Sequence, residues 1–275
     1  MIKNHKLLID KNCPMCVVYG STFTKLDMVD SNTITPYQLV SEEFTTTIDM
    51  HRAQNEIALH DTVTGETIYG LDSMIHIFSQ GKSWISKPLH FPLIYAPLKQ
   101  LYKFITYNRK VIVGGKRTPV NERTCEPDVN YFYRTLFIFF TAVFTGLVLN
   151  NYTYHITDYF GFQTPWYVEY MICFGQVVWQ GVMITLWSRK NSWDYLGNMS
   201  AVSALGGILL LPILLLQQFI ELHPYLYIGY FMLVVGVMLL EHIRRCRNMH
   251  LGWIPTVSWL TFRNVVLGII ILLFS

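Results

Sequence analysis

Residues 7–26 read LLIDKNCPMCVVYGSTFTKL, and the change of pattern within this stretch decides how the N-terminal part of the chain folds. Lys6 to Asp10 is a short apolar run, as expected for a buried strand. Beyond it, Cys16, Tyr19, Phe23 and Leu26 recur at i, i+3, i+7 and i+10, the spacing of an amphipathic helix. The Cys13-Pro14-Met15-Cys16 motif therefore falls at a strand-to-helix junction, with Pro14 suited to a first helical turn where its missing N–H costs nothing. A thiol at a helix N-terminus faces unpaired N–H groups and the positive end of the macrodipole, which favour the thiolate. The thiolate is the attacking species in disulfide exchange. Cys13, nearer the helix end, is expected to attack and Cys16, one turn further in, to resolve the mixed disulfide. Asp10 has two open roles, relaying a proton or holding the loop by accepting backbone hydrogen bonds.

Two other readings of the cysteine pair stand beside this one. Zinc needs about two further ligands, and His5, His51, His60 and His76 show no paired spacing. An inert structural pair is the other. Five cysteines in 275 residues are too few and too scattered for a disulfide scaffold. Cys125, Cys173 and Cys246 stand apart from the motif; Cys125, in a basic segment, reads as an idle loop cysteine or a third redox thiol.

Moving outward, Thr33 to Val40 is expected as a strand, with Pro36 pointing to an edge or irregular position. Glu56 to His60 and Thr67 to Tyr69 flank the turn-rich Thr62-Val63-Thr64-Gly65-Glu66, a hairpin connection. A helix is expected over Leu71 to Gln80, with Leu71, Met74, Ile75 and Phe78 on one face and Gly81 as its stop. After Pro97, Leu98, Leu101 and Ile105 outline another helix ending near Asn108 and Arg109. The pattern is that of an α/β domain.

Charges thin out after about Arg134, and long apolar runs begin at Tyr131. Only 14% of the chain is charged, against roughly 25% in an average soluble domain. Four apolar segments, Phe132 to Leu149, Tyr167 to Trp187, Met199 to Phe219 and Leu226 to Ile243, approach the ~20 residues that cross a bilayer as helix. A fifth, Ser258 to Phe274, is interrupted by Arg263. Lys110, Lys116, Arg117 and Arg123 precede the first segment, Arg134 stands at its start, and 150–166 holds no Lys or Arg. Arg189 and Lys190 follow the second, and Arg244, Arg245 and Arg247 the fourth. This alternation places the N-terminal domain in the cytoplasm. Glu169, Cys173, Gln176 and Gln180 share one face of the second segment, which lines a site for a small solute, lipid or quinone or else hydrogen-bonds to a neighbouring helix. Ser203 and Gly207 predict close packing of the third, and Pro212 a kink. Arg263 either points inward or snorkels to the interface.

A net charge of +3 without a basic stripe interleaved with aromatics argues against nucleic acid. Residues 1–8, MIKNHKLL, have no apolar run of the signal-peptide kind. His155, His223 and His242 lie at segment ends rather than paired mid-membrane as a haem would need, no cofactor is implied, and no second membrane cysteine faces Cys173 for a transmembrane dithiol relay.

The segments LLIDKNCPMC, ITPYQL, IALHDTVTGETIYGLDSMIHIF and YKFITYNRK together resemble the DCC family (DUF393) of thiol-disulfide oxidoreductases, whose Asp-x-x-Cys-x-x-Cys signature is matched by Asp10, Cys13 and Cys16. The resemblance covers about residues 6–110 and implies a thioredoxin-like fold, with members found alone or fused to membrane segments. Lys11 replaces the glycine usual after the aspartate, and the residues before Glu56, His51 to Asn55, lack the proline that thioredoxins place opposite the motif. The expected organisation is a thioredoxin-like domain over 1–110, a basic juxtamembrane linker over 111–130, and a bundle of four to five transmembrane helices over 131–275. The expected function is thiol-disulfide exchange through Cys13, Cys16 and Asp10 with a protein or small-molecule disulfide, at a bacterial inner membrane. The alternative is a membrane carrier or lipid-interacting bundle with the soluble domain as redox sensor or binding module.

Overall fold

A computed structural model describes residues 2, 4–40, 46–80, 82–114, 129–157 and 164–274. Gly81 and Cys125, both singled out in the sequence, lie outside the described residues. The chain divides into two compact units, Met1–Tyr133 and Arg134–Ser275.

The first unit is built on a mixed sheet of strands β1 (His5–Ile9), β2 (Ile34–Pro36), β3 (Ala58–Asp61) and β4 (Thr67–Tyr69), in spatial order β2-β1-β3-β4. β1 runs parallel to β2, pairing Leu7 with Ile34, and antiparallel to β3, pairing Leu7 with Leu59. β3 and β4 form an antiparallel hairpin, whose turn is held by the Asp61 carboxylate accepting from the Val63 amide at 2.8 Å. Successive strand residues point to opposite faces. Leu7 and Leu8 are nevertheless both 1% exposed, so both faces of the sheet are covered. Leu7 and Leu59 pack with Phe23, Val29 and Ile77, while Leu8 and Ala58 pack with Cys16, Ile48 and Ala53.

Helix α1 (Pro14–Lys25) follows β1. Its buried residues are Cys16, Gly20 and Phe23. Leu26, expected on the apolar face, lies just past the helix and is 56% exposed. Its place is taken by Gly20, where an added Cβ would come within 3.2 Å of Ile34 Cδ1. The helix therefore approaches the sheet closely at a residue that apolar spacing does not mark. The expected strand over Thr33 to Val40 shrinks to three residues between two 3-10 turns, with Pro36 at its end on the sheet edge.

Helix α2 (Met50–Asn55) fills what reads in the sequence as an irregular stretch; the Asp49 carboxylate caps it by accepting from the Arg52 amide. Helix α3 (Leu71–Ser79) starts after Gly70 and ends on Gln80 in a left-handed conformation. Two further helices follow, α4 (Ser83–Leu89) and α5 (Pro92–Val113). α5 begins five residues before Pro97, which sits inside it, and runs past the expected end at Arg109.

The second unit holds helices α6 (Tyr131–Thr157, whose first turn belongs to the first unit), α7 (Val168–Ser188), α8 (Ser192–Leu216), α9 (Pro224–Asn248) and α10 (Ile254–Phe274). Among the described residues, three helical stretches, Tyr131–Thr157, Val168–Leu216 and Pro224–Asn248, are long and apolar enough to cross a membrane; Ile254–Ile270 is apolar but shorter. The middle stretch is a hairpin rather than one rod. Its 49 residues in a straight helix would reach roughly 70 Å, over twice a ~30 Å hydrocarbon core. It turns at Arg189–Asn191, and the Tyr195 hydroxyl donates back to Gln180 Oε1 at 2.9 Å.

α8 packs closely, as its small residues predict. A Cβ on Gly207 would stand 2.9 Å from Phe144 of α6, and one on Gly206 would collide with Met238 of α9. Pro212 lies within α8, which continues to Leu216.

Candidate functional site

The cysteine motif sits where β1 hands over to α1. Cys13 is the N-cap residue, with extended backbone angles (φ −90°, ψ 111°), and Pro14 opens the helix. The Cys13 amide donates to the Asp10 carbonyl at 3.2 Å, and the Cys13 carbonyl accepts from Val17 at 3.1 Å, the first helical bond. No acidic side chain stands in the first turn to compete with a thiolate for the N-terminal field. Cys13 is half-buried and Cys16 buried. Cys16 packs against Leu8, Ala53 and Ala58, and Cys13 borders the same cluster. The outer and inner cysteines thus have the accessibilities that an attacking and a resolving thiol need.

Asp10 is 3% exposed. Its Oδ1 accepts from the Asn12 amide and from Gln38 Nε2, each at 2.8 Å. The carboxylate therefore ties the Lys11–Asn12 turn to the segment after β2, which favours the loop-holding role over the proton relay. Asp10→Asn keeps an oxygen acceptor for both donors, and exchange activity is expected to survive it. Asp10→Ala strips both donors of their partner and is expected to cost about 1–3 kcal/mol of stability. A relay role predicts instead a loss of about 100-fold or more in both variants, read as the exchange rate with an aromatic disulfide.

Polar side chains that the motif itself does not reveal lie near the cysteines. Arg109 of α5 is 5% exposed, and its Nη2 donates to the Gln54 carbonyl at 2.5 Å. It shares a small cavity with Cys16, Tyr19 and Glu56. Burial raises the Tyr19 phenol above its usual value, with the Arg109 charge pulling it back down and both cysteines raising it further. The Tyr102 hydroxyl accepts from the Ile57 amide at 3.0 Å, and burial pushes its pKa up to about 12. Arg109 places a fixed positive charge in the cavity that Cys16 also lines. In the sequence it is one of two adjacent cations at the end of a helix, and nothing distinguishes it from Lys110.

A larger groove of about 310 Å³ opens beside Met15 and Tyr19, walled mostly by apolar residues of α3 and α5, with Tyr102, Thr106 and Arg109 as its polar lining. The expected face of α3, Leu71, Met74, Ile75 and Phe78, lines this groove together, while Ile77, outside that face, is fully buried in the sheet core. The segment before β3 is helix α2, which brings Ala53, 0% exposed, against Cys16.

A scan of protein-family models, a search of curated proteins and a search of solved structures each return no match. What the site can do rests on its own residues. Among the described residues no three His, Cys, Asp or Glu side chains converge as a metal site requires.

The polar face of the second apolar segment is buried in the helical unit, with Glu169, Cys173, Gln176 and Gln180 all under 9% exposed. Gln180 accepts from Tyr195, whose hydroxyl also meets His242 Nε2 at 3.2 Å; His242 Nδ1 meets Thr256 at 3.1 Å. Gln176, Thr145, Ser200 and Arg263 line a cavity of about 10 Å³, room for one water. Arg263 faces the bundle interior rather than snorkelling outward. His242, placed near the inner end of its segment by sequence, is 1% exposed and stacked on Trp259.

Proposed function

We propose that the chain is a membrane-anchored thiol-disulfide oxidoreductase, with Cys13 as nucleophile and Cys16 as resolving thiol. The observation that carries this reading is the half-buried Cys13 at the N-terminus of α1 with buried Cys16 one turn behind it. The β2-β1-β3-β4 order, with a parallel β1/β2 pair and an antiparallel hairpin, is what a thioredoxin-like domain of the DCC kind would have. Helix α2 stands where such a domain has its proline.

In the proposed reaction the Cys13 thiolate attacks one sulfur of a substrate disulfide, forming a mixed disulfide and releasing the other sulfur as thiolate. Cys16, as thiolate, then attacks Cys13 Sγ, releasing the second substrate thiolate and leaving a Cys13–Cys16 disulfide. The substrate gains two electrons and the protein loses them; a second thiol compound restores the dithiol. Asp10 holds the turn that carries Cys13.

The basic residues flanking the apolar segments favour a first unit on the cytoplasmic side, and a bacterial inner membrane is the location proposed here. Helices α6 to α10 read as five crossings, with the α7–α8 hairpin counted as two. The cytosol is reducing, so the resting state is the dithiol and reduction of the target is the forward direction. The carrier reading finds less support, because the cavity on the polar face of α7 has room for a water and none for a quinone or lipid.

The test is a trap. Cys16→Ser is expected to accumulate a mixed disulfide at Cys13 that dithiothreitol releases, while the double variant with Cys13→Ser captures nothing. Equal capture by both variants would remove Cys13 from the reaction.

A further inference from the structure

α4 and α5 combine features that a soluble surface rarely carries together. Trp84, Phe91, Leu93 and Ile94 are 75%, 58%, 79% and 42% exposed. α5 already turns Leu98, Tyr102 and Ile105 toward the body of the domain, where they line the groove. Leu93 and Pro97, one turn apart, lie on its other side. A helix apolar on both sides belongs in an apolar environment on both sides.

The charge along this stretch is of one sign apart from Asp72, whose carboxylate accepts from the Tyr95 hydroxyl at 2.9 Å and stands 3.6 Å from His90. From Ser73 to Asn121 the sequence has six lysines and two arginines and no Asp or Glu. Lys82, Lys87 and Lys99 are exposed among the bare apolar residues. Basic side chains around exposed Trp, Phe and Leu are the composition of a helix lying in the interfacial plane of an anionic bilayer.

α5 is also fixed to the chain where it becomes apolar. The Tyr133 hydroxyl donates to Gln100 Oε1 at 2.6 Å, the Tyr107 and Tyr133 rings stack at 5.4 Å, and Asn108 Nδ2 donates to the Tyr133 carbonyl at 3.1 Å. Tyr131 and Phe132, in the same first turn of α6, are 61% and 66% exposed. The exposed apolar residues of α4 and α5 thus share one packing unit with the start of a helix apolar enough to cross a membrane.

We infer that the α4–α5 face of the soluble unit is a docking surface for anionic phospholipid, with Trp84, Phe91, Leu93 and Ile94 entering the headgroup region and the lysines meeting phosphates. This does not depend on the cysteine chemistry. It gives the soluble unit a second hold on the bilayer, separate from the crossing helices.

The experiment uses the full chain in nanodiscs of phosphatidylglycerol and phosphatidylcholine, with either ordinary or brominated acyl chains. The emission of Trp84 is isolated as the difference between the wild type and Trp84→Phe. The expected difference spectrum is blue-shifted, quenched by brominated lipid and protected from iodide. A second arm replaces Lys82, Lys87, Lys99 and Lys103 by Gln, which is expected to expose Trp84 to iodide. Each lysine near an anionic surface contributes a preference of roughly five-fold. Red-shifted emission quenched by iodide would overturn the inference by showing the face in water. Protection from both quenchers would overturn it by showing a protein cover, a second copy included. Equal lipid quenching in pure phosphatidylcholine and in the lysine variant would overturn the anionic specificity.

Discussion

Cys13→Ser is expected to abolish disulfide exchange by the 275-residue chain, while Glu169→Gln combined with Gln176→Leu is expected to leave it unchanged. A serine hydroxyl can occupy the N-cap position and keep the helix start, but it forms no sulfur–sulfur bond, so no partial activity is expected. Cys16→Ser retains the first attack and loses turnover, because nothing then resolves the mixed disulfide. Rates are read with a chromogenic aromatic disulfide on protein in detergent micelles, with circular dichroism to confirm folding. The paired membrane variant gives the measurement its discrimination. Were the bundle the working part, the polar face of α7 would be needed and Cys13 dispensable, and the two results would exchange places.

Gly70→Ala is expected to destabilise the first unit by roughly 1–3 kcal/mol, because a side chain is forced into a backbone region where only glycine is at ease. Gly70 has φ 69° and ψ −134° between β4 and α3. Its amide donates to the Ile57 carbonyl at 2.7 Å, which leaves the turn little freedom to relax. An added Cβ would also come within 2.6 Å of the Glu56 carboxylate, itself 3.5 Å from Arg52 Nε. Hydrogen exchange of β1 and β3 peptides, compared between variant and wild type, is expected to accelerate on the order of 100-fold where it reports unit-wide opening. Gly236→Ala serves as the control, since its Cβ would meet nothing within 4 Å and its backbone needs no positive φ. Unchanged protection in Gly70→Ala would mean that the β4–α3 turn relaxes freely.

The parts of this fold that were legible in the sequence are those fixed by local pattern. The apolar run before Asp10, the cysteine pair with Pro14, and the Thr62–Glu66 turn each state their structure within a few residues. The buried polar face of α7 was legible for the same reason, as Glu169, Cys173, Gln176 and Gln180 keep strict helical spacing over three turns. What stayed hidden depends on contacts between distant residues. α2 carries only six residues and little apolar periodicity, so its cap at Asp49 is its one local sign. Pro97 argued for a helix start, yet the five residues before it are already helical. Gln38 reaches Asp10 across 28 positions, and Arg109 meets Gln54 across 55; no spacing rule connects such pairs. His242 shows the same limit in the membrane unit, where its partners Tyr195 and Thr256 come from two other helices.

The central claim is that the strand-to-helix junction makes Cys13 an attacking thiolate. It is tested most directly by the pH dependence of Cys13 alkylation in the 275-residue chain, resolved peptide by peptide by mass spectrometry, with Cys16→Ser alongside. Alkylation follows the thiolate, so its rate rises with pH and levels off above the thiol's pKa. The account predicts a plateau reached well below the ordinary value of about 8.5, in the wild type and in Cys16→Ser alike. A Cys13 that titrates like a free thiol, at about 8.5 or above, would contradict it.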